Sequence, residues 1–215
     1  DLMSVIIINP NSTVSMTEAM LAQARRAAPS QSFEGWTSHY GPPAIQGKKD
    51  GESATEPLLQ LVDKASKSGA DGIIIGCFDD TALDKAAAIS DCPVIGIGQA
   101  SFHYSALRNN RFSVVTTLSV SVSIIEDNIS GMGLTKFVSK VRASEVPVLE
   151  LESNPKKASE IIKSEALRAQ KLDEVSAIIL GCAGMVEVYH EVEKELSIET
   201  IDPVTCAARC WNWFN

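Results

Sequence analysis

Two cysteines in this sequence sit in the same local pattern. The first follows a strand-like run in Gly72-Ile73-Ile74-Ile75-Gly76-Cys77-Phe78-Asp79-Asp80. The second does so in Ala177-Ile178-Ile179-Leu180-Gly181-Cys182-Ala183-Gly184-Met185, 105 residues later. A cysteine taken alone is as readily a small buried apolar residue. Its repetition at corresponding strand ends is what argues for chemistry. Thiolate is the reactive form of cysteine, and the free N–H groups at the start of a helix favour it. The backbone N–H groups of Phe78, Asp79, Ala183 and Gly184 are expected near the sulfurs, where they would also hold an oxyanion. Gly181 and Gly184 are expected to leave room for a ligand to approach the backbone. Two such thiols on opposite faces of a carbon beside a carbonyl could take a proton from one face and return one to the other. Cys77 and Cys182 are therefore the catalytic candidates.

The elements that must position them read as alternating strands and helices. Ser4–Ile8 is a short apolar run, hence a buried strand. Asn9-Pro10-Asn11-Ser12-Thr13 is a turn cluster with cap candidates, and a helix runs over Val14–Ala28 to Pro29. Ser32–Ser38 reads as a strand, 40–43 as a loop and Lys48–Gly51 as a polar break. Glu56–Ser68 is a helix closed by Gly69. The strand Gly72–Ile75 follows, then a helix over Asp80–Ile89, a strand over Pro93–Ile97 and a helix over Gln99–Arg108.

The cycle restarts with a strand over Phe112–Thr116, the turn Thr116–Ser119, a helix over Val120–Ser130 and a strand over Phe137–Val141. A long helix over Pro155–Lys171 leads to the strand Ala177–Leu180. A helix over Met185–Leu196, a strand over Glu199–Ile201 and a last helix over Pro203–Phe214 complete it. Three landmarks pair between the halves: Asn9 with Thr116, Cys77 with Cys182, and Ile95 with Ile201. These predict an α/β fold of two similar parallel-sheet domains related by pseudo-two-fold duplication. The first spans 1–100 plus 203–215 and the second 101–202. Ligands of parallel sheets bind at the carboxyl ends of strands, so the active site is expected in the interdomain cleft. Asn11 and Ser12 from one turn, and Thr116 and Thr117 from the other, would line it. Local turn bonding competes for Asn11 and Ser12, and helix capping competes for Asp79 and Asp80.

At 215 residues the chain can bury a substantial core. Its net charge of −8 and lack of a basic run speak against nucleic acid. No stretch reaches the ~18 apolar residues of a membrane span. Val5–Ile8 is too short for a signal-peptide core and lacks a basic lead. The five cysteines are an odd count, which suits reduced thiols and a cytoplasmic location. Cys92, Cys206 and Cys210 read as packing, and Cys206-x-x-x-Cys210 lacks the partner ligands of a zinc site. Neither GxGxxG nor GxxxxGK[ST] occurs, so no cofactor is expected. His39 alone among the three histidines lies in a loop within reach of the cleft.

Six motifs in order, Ile8–Ser12, Gly41–Gly47, Gly76–Asp80, Pro93–Gly98, Ser113–Leu118 and Leu180–Met185, resemble the hydantoin racemase branch of the aspartate/glutamate racemase superfamily, which includes allantoin racemases. The resemblance runs from Val5 to about Ala208. It implies a cofactor-independent, homo-oligomeric racemase of 5-substituted hydantoins that uses Cys77 and Cys182 as its two acid/base groups. It also implies that Asn11, Phe78, Asp79, Thr117, Ala183 and Gly184 bind the ring. Thr81 stands where relatives commonly have proline, and the tail after Trp213 is short for the family, which implies an incomplete last helix. Arylmalonate decarboxylases keep one cysteine of the pair. Maleate isomerases and aspartate or glutamate racemases act on carboxylates, which the motifs offer no Arg or Lys to pair. A neutral cyclic ureide suits Asn, Thr and backbone partners better. The competing readings are an amino-acid racemase or maleate-isomerase-like enzyme, a non-catalytic ureide-binding module and a redox pair of Cys77 with Cys182.

Overall fold

The computed structural model describes residues 4–214, so the outer ends of the two predicted domain ranges, 1–3 and 215, lie outside the described residues. Two four-stranded parallel sheets are formed. The first contains β1 (Ser4–Asn9), β2 (Ser32–Thr37), β3 (Gly72–Ile75) and β4 (Val94–Gly96) in the order β2-β1-β3-β4. The second contains β5 (Phe112–Thr116), β6 (Val138–Ala143), β7 (Ala177–Gly181) and β8 (Glu199–Ile201) in the order β6-β5-β7-β8. The order is the same in both, as the duplication requires. Ile8 pairs with Ile75 in one sheet and Val115 with Leu180 in the other, so Cys77 and Cys182 each follow their strand partner by two residues.

The continuous apolar runs are explained by coverage on both faces. On the outer face of the first sheet, Ile6, Ile8, Ile73 and Ile75 pack against α2 (Lys48–Lys67) and α3 (Leu83–Ile89). On the outer face of the second, Val115, Ile178 and Leu180 pack against α7 (Pro155–Leu172) and α8 (Tyr189–Glu195). The inner faces share one core. Val5, Ile7 and Ile74 of the first sheet join Phe112, Val114 and Ile179 of the second through α1 (Val14–Ala27), α4 (Ile97–Leu107), α5 (Val122–Gly131) and α9 (Pro203–Cys210). The two sheets thus fold around a common layer of helices. A four-residue α6 (Glu150–Ser153) precedes α7. Among the described residues no helix is long and apolar enough to cross a membrane.

Several element boundaries differ from the sequence reading. The expected polar break at Lys48–Gly51 is the first turn of α2. It is seeded by Gly47 at φ +87° and by the Asp50 carboxylate accepting from the Gln46 N–H. The helix expected from Asp80 starts only at Leu83, because Asp80 and Ala82 take left-handed backbone conformations (φ 49° and 53°). Conversely α4 starts at Ile97, two residues early. Asp80 caps this helix rather than α3, accepting from the N–H groups of Gly98 (3.1 Å) and Gln99 (2.7 Å). The Asp80 carboxylate also fills the space beside Gly96 and Gly98. A Cβ built on Gly96 would lie 1.9 Å from Asp80 Oδ1 and one on Gly98 2.8 Å from Oδ2. The glycines of Pro93–Gly98 thus accommodate a buried carboxylate. Toward the C-terminus, 3-10 turns replace the ends of two expected helices: Ala183–Val186 precedes α8, and Trp211–Trp213 follows α9.

Candidate active site

Cys77 and Cys182 line one small cavity, of about 30 Å3, between the halves. Each sulfur stands just past the carboxyl end of a central strand, β3 or β7, where a parallel sheet leaves backbone groups and loops free to form a site. The turn after β1 contributes Asn11, and the turn after β5 contributes Thr116, Thr117 and Ser121. Met16, Ala44 and Val148 form an apolar patch against Cys182. Two loops meet over the cavity, where Gln46 Oε1 accepts from the Val148 N–H at 2.9 Å. Ser15 of α1 also donates to the Glu152 carboxylate of α6.

The electrostatics reverse one expectation. Helix N-termini were expected to favour both thiolates, but neither cysteine opens an α-helix. Cys77 is followed by a turn and Cys182 by a 3-10 turn. Burial dominates and pushes the Cys77 thiol well above its ordinary range, the Asp79 carboxylate adding to the shift. The Thr81 hydroxyl (3.3 Å) and the Asp79 N–H donate to the sulfur and oppose it. Cys182 is pushed up to about 12 by burial and by Asp79, against donation from the N–H groups of Gly184 and Met185. Both shifts favour the thiol over the thiolate.

Asp79 itself is pushed up to about 6 by burial, opposed by the Ser121 hydroxyl, which donates to Oδ2 at 3.1 Å. Its backbone carbonyl accepts from Asn128 Nδ2 at 2.8 Å. Asp79, on the first-half loop, is therefore held from both sides by second-half groups. It does not cap α3, the local role that competed for it, since that helix begins four residues later.

A chain that presents paired cysteines at equivalent strand ends of a duplicated α/β fold can be matched to known proteins over its whole length. The profile of the Asp/Glu/Hydantoin racemase family matches residues 5–210. The chain belongs to that family. It is an isomerase of the racemase type, and its resemblance to the hydantoin and allantoin branch holds across the chain. The hydantoin racemase of Rhizobium meliloti is 37% identical over 208 residues, covering 96% of this chain and 86% of that protein. The hydantoin racemase of Pseudomonas sp. (strain NS671) is 33% identical over 208 residues, covering 96% and 84%. The solved allantoin racemase from Klebsiella pneumoniae superposes with a TM-score of 0.93 at 32% identity, covering 100% of this chain and 87% of that one.

Of the ring-contacting candidates in this racemase, Asn11, Phe78, Asp79, Thr116, Thr117, Ala183 and Gly184 border the cysteine cavity. Ser12 does not. Its N–H instead donates to the Pro42 carbonyl, so this residue ties down the turn. Asn11 also performs the turn bonding that competed for it: its Oδ1 accepts from Asn9 Nδ2 and from the Thr13 N–H, and its Nδ2 points to Met16 Sδ at 3.4 Å. Phe78 sends its ring into the shared core, edge-on to Phe102 at 5.4 Å. Gly181 does not clear space for a ligand. A Cβ there would strike Val114 at 2.7 Å and Phe78 at 3.1 Å. His39 is exposed and does not border the cavity.

Sequence reasoning missed Met16, Ile45, Val148 and Ser121 as lining residues. Ile45 lay within a recognised motif, but nothing local marks the others. Thr81 was noted only as an unusual loop residue, and its hydroxyl turns out to face Cys77. Among the described residues no group of three His, Cys, Asp or Glu side chains is placed to hold a metal ion.

Proposed function

We propose that the protein racemises 5-substituted hydantoins, allantoin or a related cyclic ureide, by two-base proton transfer between Cys77 and Cys182. The observation that carries this reading is that both sulfurs line one cavity from opposite halves of a duplicated fold. In the forward direction one sulfur, as thiolate, removes the proton from C5 and becomes a thiol. The electron pair moves into the adjacent carbonyl as an enolate. The opposite thiol then delivers its proton to the other face of C5 and becomes the thiolate. The substrate is inverted, the sulfurs have exchanged protonation states, and the reverse direction uses them in the opposite order. No cofactor enters this scheme.

The lining supports a neutral ring. No Arg or Lys is among the cavity residues, whereas Asn11, Thr116, Thr117 and Ser121 supply uncharged partners. The Asp79 carboxylate borders the cavity and accepts from Ser121 through Oδ2, and a ring N–H would donate to its other oxygen. That bond spreads the carboxylate charge away from the sulfurs, which makes proton release from one thiol less costly. The cavity has room for about two water molecules, at ~15 Å3 each. The Ile45 and Val148 loops therefore part when a ring binds.

The same reading takes the chain as two domains, 1–100 with 203–215 and 101–202, supported by the packing of α9 on α1. It carries over Asn11, Phe78, Asp79, Thr116, Thr117, Ala183 and Gly184 as ring contacts, a homo-oligomeric assembly and a cytoplasmic location. The function is tested by following the optical rotation of one hydantoin enantiomer in D2O together with deuterium at C5. Loss of rotation with deuterium incorporation is expected. An unchanged signal across allantoin, alkyl and aryl hydantoins would overturn it.

A further inference from the structure

The small cysteine cavity is not isolated. It shares Ile45 and Asp79 with a second cavity of about 620 Å3. These two residues therefore form the partition between a narrow reacting site and a much larger chamber. The chamber is built from the N-terminal turns of α2, the loop and first turn of α3, and α5, so both halves of the chain wall it. A substituent on a ring carbon held between the sulfurs has no room in the small cavity, and the chamber begins at the residues that close it.

The walls of the chamber carry charge of predominantly one sign. Glu52, Asp84 and Asp127 line it and Asp79 stands at the partition, against Lys48 and Lys85. Asp80 also borders it, but its carboxylate is engaged by the N–H groups of Gly98 and Gln99. Lys48 and Glu52, 3.9 Å apart and exposed, contribute no net charge, which leaves Asp84, Asp127 and Asp79 against Lys85. No aromatic side chain lines the space.

We propose that this chamber receives the 5-substituent of the substrate and that its negative wall selects for substituents ending in a cation or an uncharged N–H donor, and against those ending in a carboxylate. The inference rests on the function proposed above and extends its substrate class beyond the ureido group of allantoin, to aminoalkyl and guanidinoalkyl hydantoins. Ile45 and Asp79 are the lining residues that the two spaces share. Short substituents such as methyl stop before the charged wall and should be indifferent to it.

The test is a comparison of kcat/KM for hydantoins bearing aminobutyl, ureidopropyl, pentyl and carboxybutyl groups of similar length, with the methyl compound as reference. At low ionic strength the aminobutyl compound should exceed the carboxybutyl compound by about tenfold, and the ratio should narrow in ~0.5 M salt as exposed charges are screened. In Asp84→Asn/Asp127→Asn, whose changes fall on exposed side chains, the ratio should fall toward unity. Equal rates for the charged pair in the wild type, or a ratio that ignores both salt and the double variant, would overturn the inference while leaving the racemase reading intact. If the methyl compound and all the others are inert, the racemase reading fails and this inference fails with it. The salt series uses the wild-type protein alone, so the result stands whether or not the double variant folds.

Discussion

The carboxylate of Asp79 accepts a 3.1 Å hydrogen bond from the hydroxyl of Ser121, joining the Cys77 loop of the first half to the 3-10 turn that follows β5 in the second. The bond holds a carboxylate in the cavity that both sulfurs line, and its charge adds to the proton affinity of both. Asp79 thus adds to the effect of burial on both thiols as well as bordering the site.

Removing that charge should lower both thiol pKa values. In Asp79→Asn, alkylation of Cys77 and Cys182 by iodoacetamide at pH 8 should run about tenfold faster than in the wild type, as the thiolate fraction rises. Peptide mapping of labelled protein reads this at each cysteine. An unchanged rate at both would show that burial alone controls the thiols.

Asp79 also carries a signature in stability. Burial pushes its carboxyl up to about 6, above the usual carboxylate range of ~4, so between those values the folded protein holds a proton that the unfolded chain has released. Wild-type stability therefore loses this contribution as pH rises through about 4 to 6. Asp79→Asn cannot lose it. Relative to the wild type, the variant should gain about 2 kcal/mol between pH 4 and pH 7. Urea denaturation at the two pH values, taken as a difference between proteins, measures the gain. A constant difference would contradict the raised pKa.

Thr81→Val retains shape and β-branching but removes the hydroxyl that donates to Cys77. The Cys77 thiol should become harder to ionise and that of Cys182 should not change. Racemisation should slow about tenfold, a loss matched to a charge-assisted hydrogen bond, and its alkaline limb should move to higher pH. An unaltered pH profile would show that the contact does nothing for catalysis.

Gly96→Ala places a methyl where the Asp80 carboxylate lies. The carboxylate must leave two N–H groups of α4 unpaired or force the strand away from it, at a cost of about 2–4 kcal/mol. Urea unfolding should show that loss. Asp80→Asn, which keeps one acceptor oxygen, should cost less. A neutral Gly96→Ala would mean that the loop after Cys77 yields without penalty.

Much of this architecture is legible in the sequence because its signals are local. Ile73–Ile75 and Ile178–Leu180 announce doubly covered strands, and the cysteine after each marks the duplication. What escapes is set by distant partners. Asp80 looks like a cap for the helix that follows it but caps α4, eighteen residues on, because the left-handed backbone at Asp80 and Ala82 turns the chain back. Lys48–Gly51 looks like a break because Gly47 and Asp50 make a helix start without a strong apolar pattern. Val148 and Ser121 enter the cavity only through the meeting of the two halves. The proton affinities of Cys77 and Cys182 were misjudged because strand ends suggested helix dipoles, whereas the turns that follow them supply little field and burial outweighs it.

The central claim is that each sulfur serves one face of the same carbon. The most direct measurement is deuterium exchange at C5 of separate hydantoin enantiomers in D2O, with the wild type, Cys77→Ser and Cys182→Ser. The wild type should exchange and racemise both enantiomers. Each variant should lose racemisation by at least ~10³-fold, the scale of a lost general base or acid. Any residual exchange should be confined to one enantiomer in Cys77→Ser and to the opposite enantiomer in Cys182→Ser. A single variant that racemises at the wild-type rate would contradict the two-cysteine account.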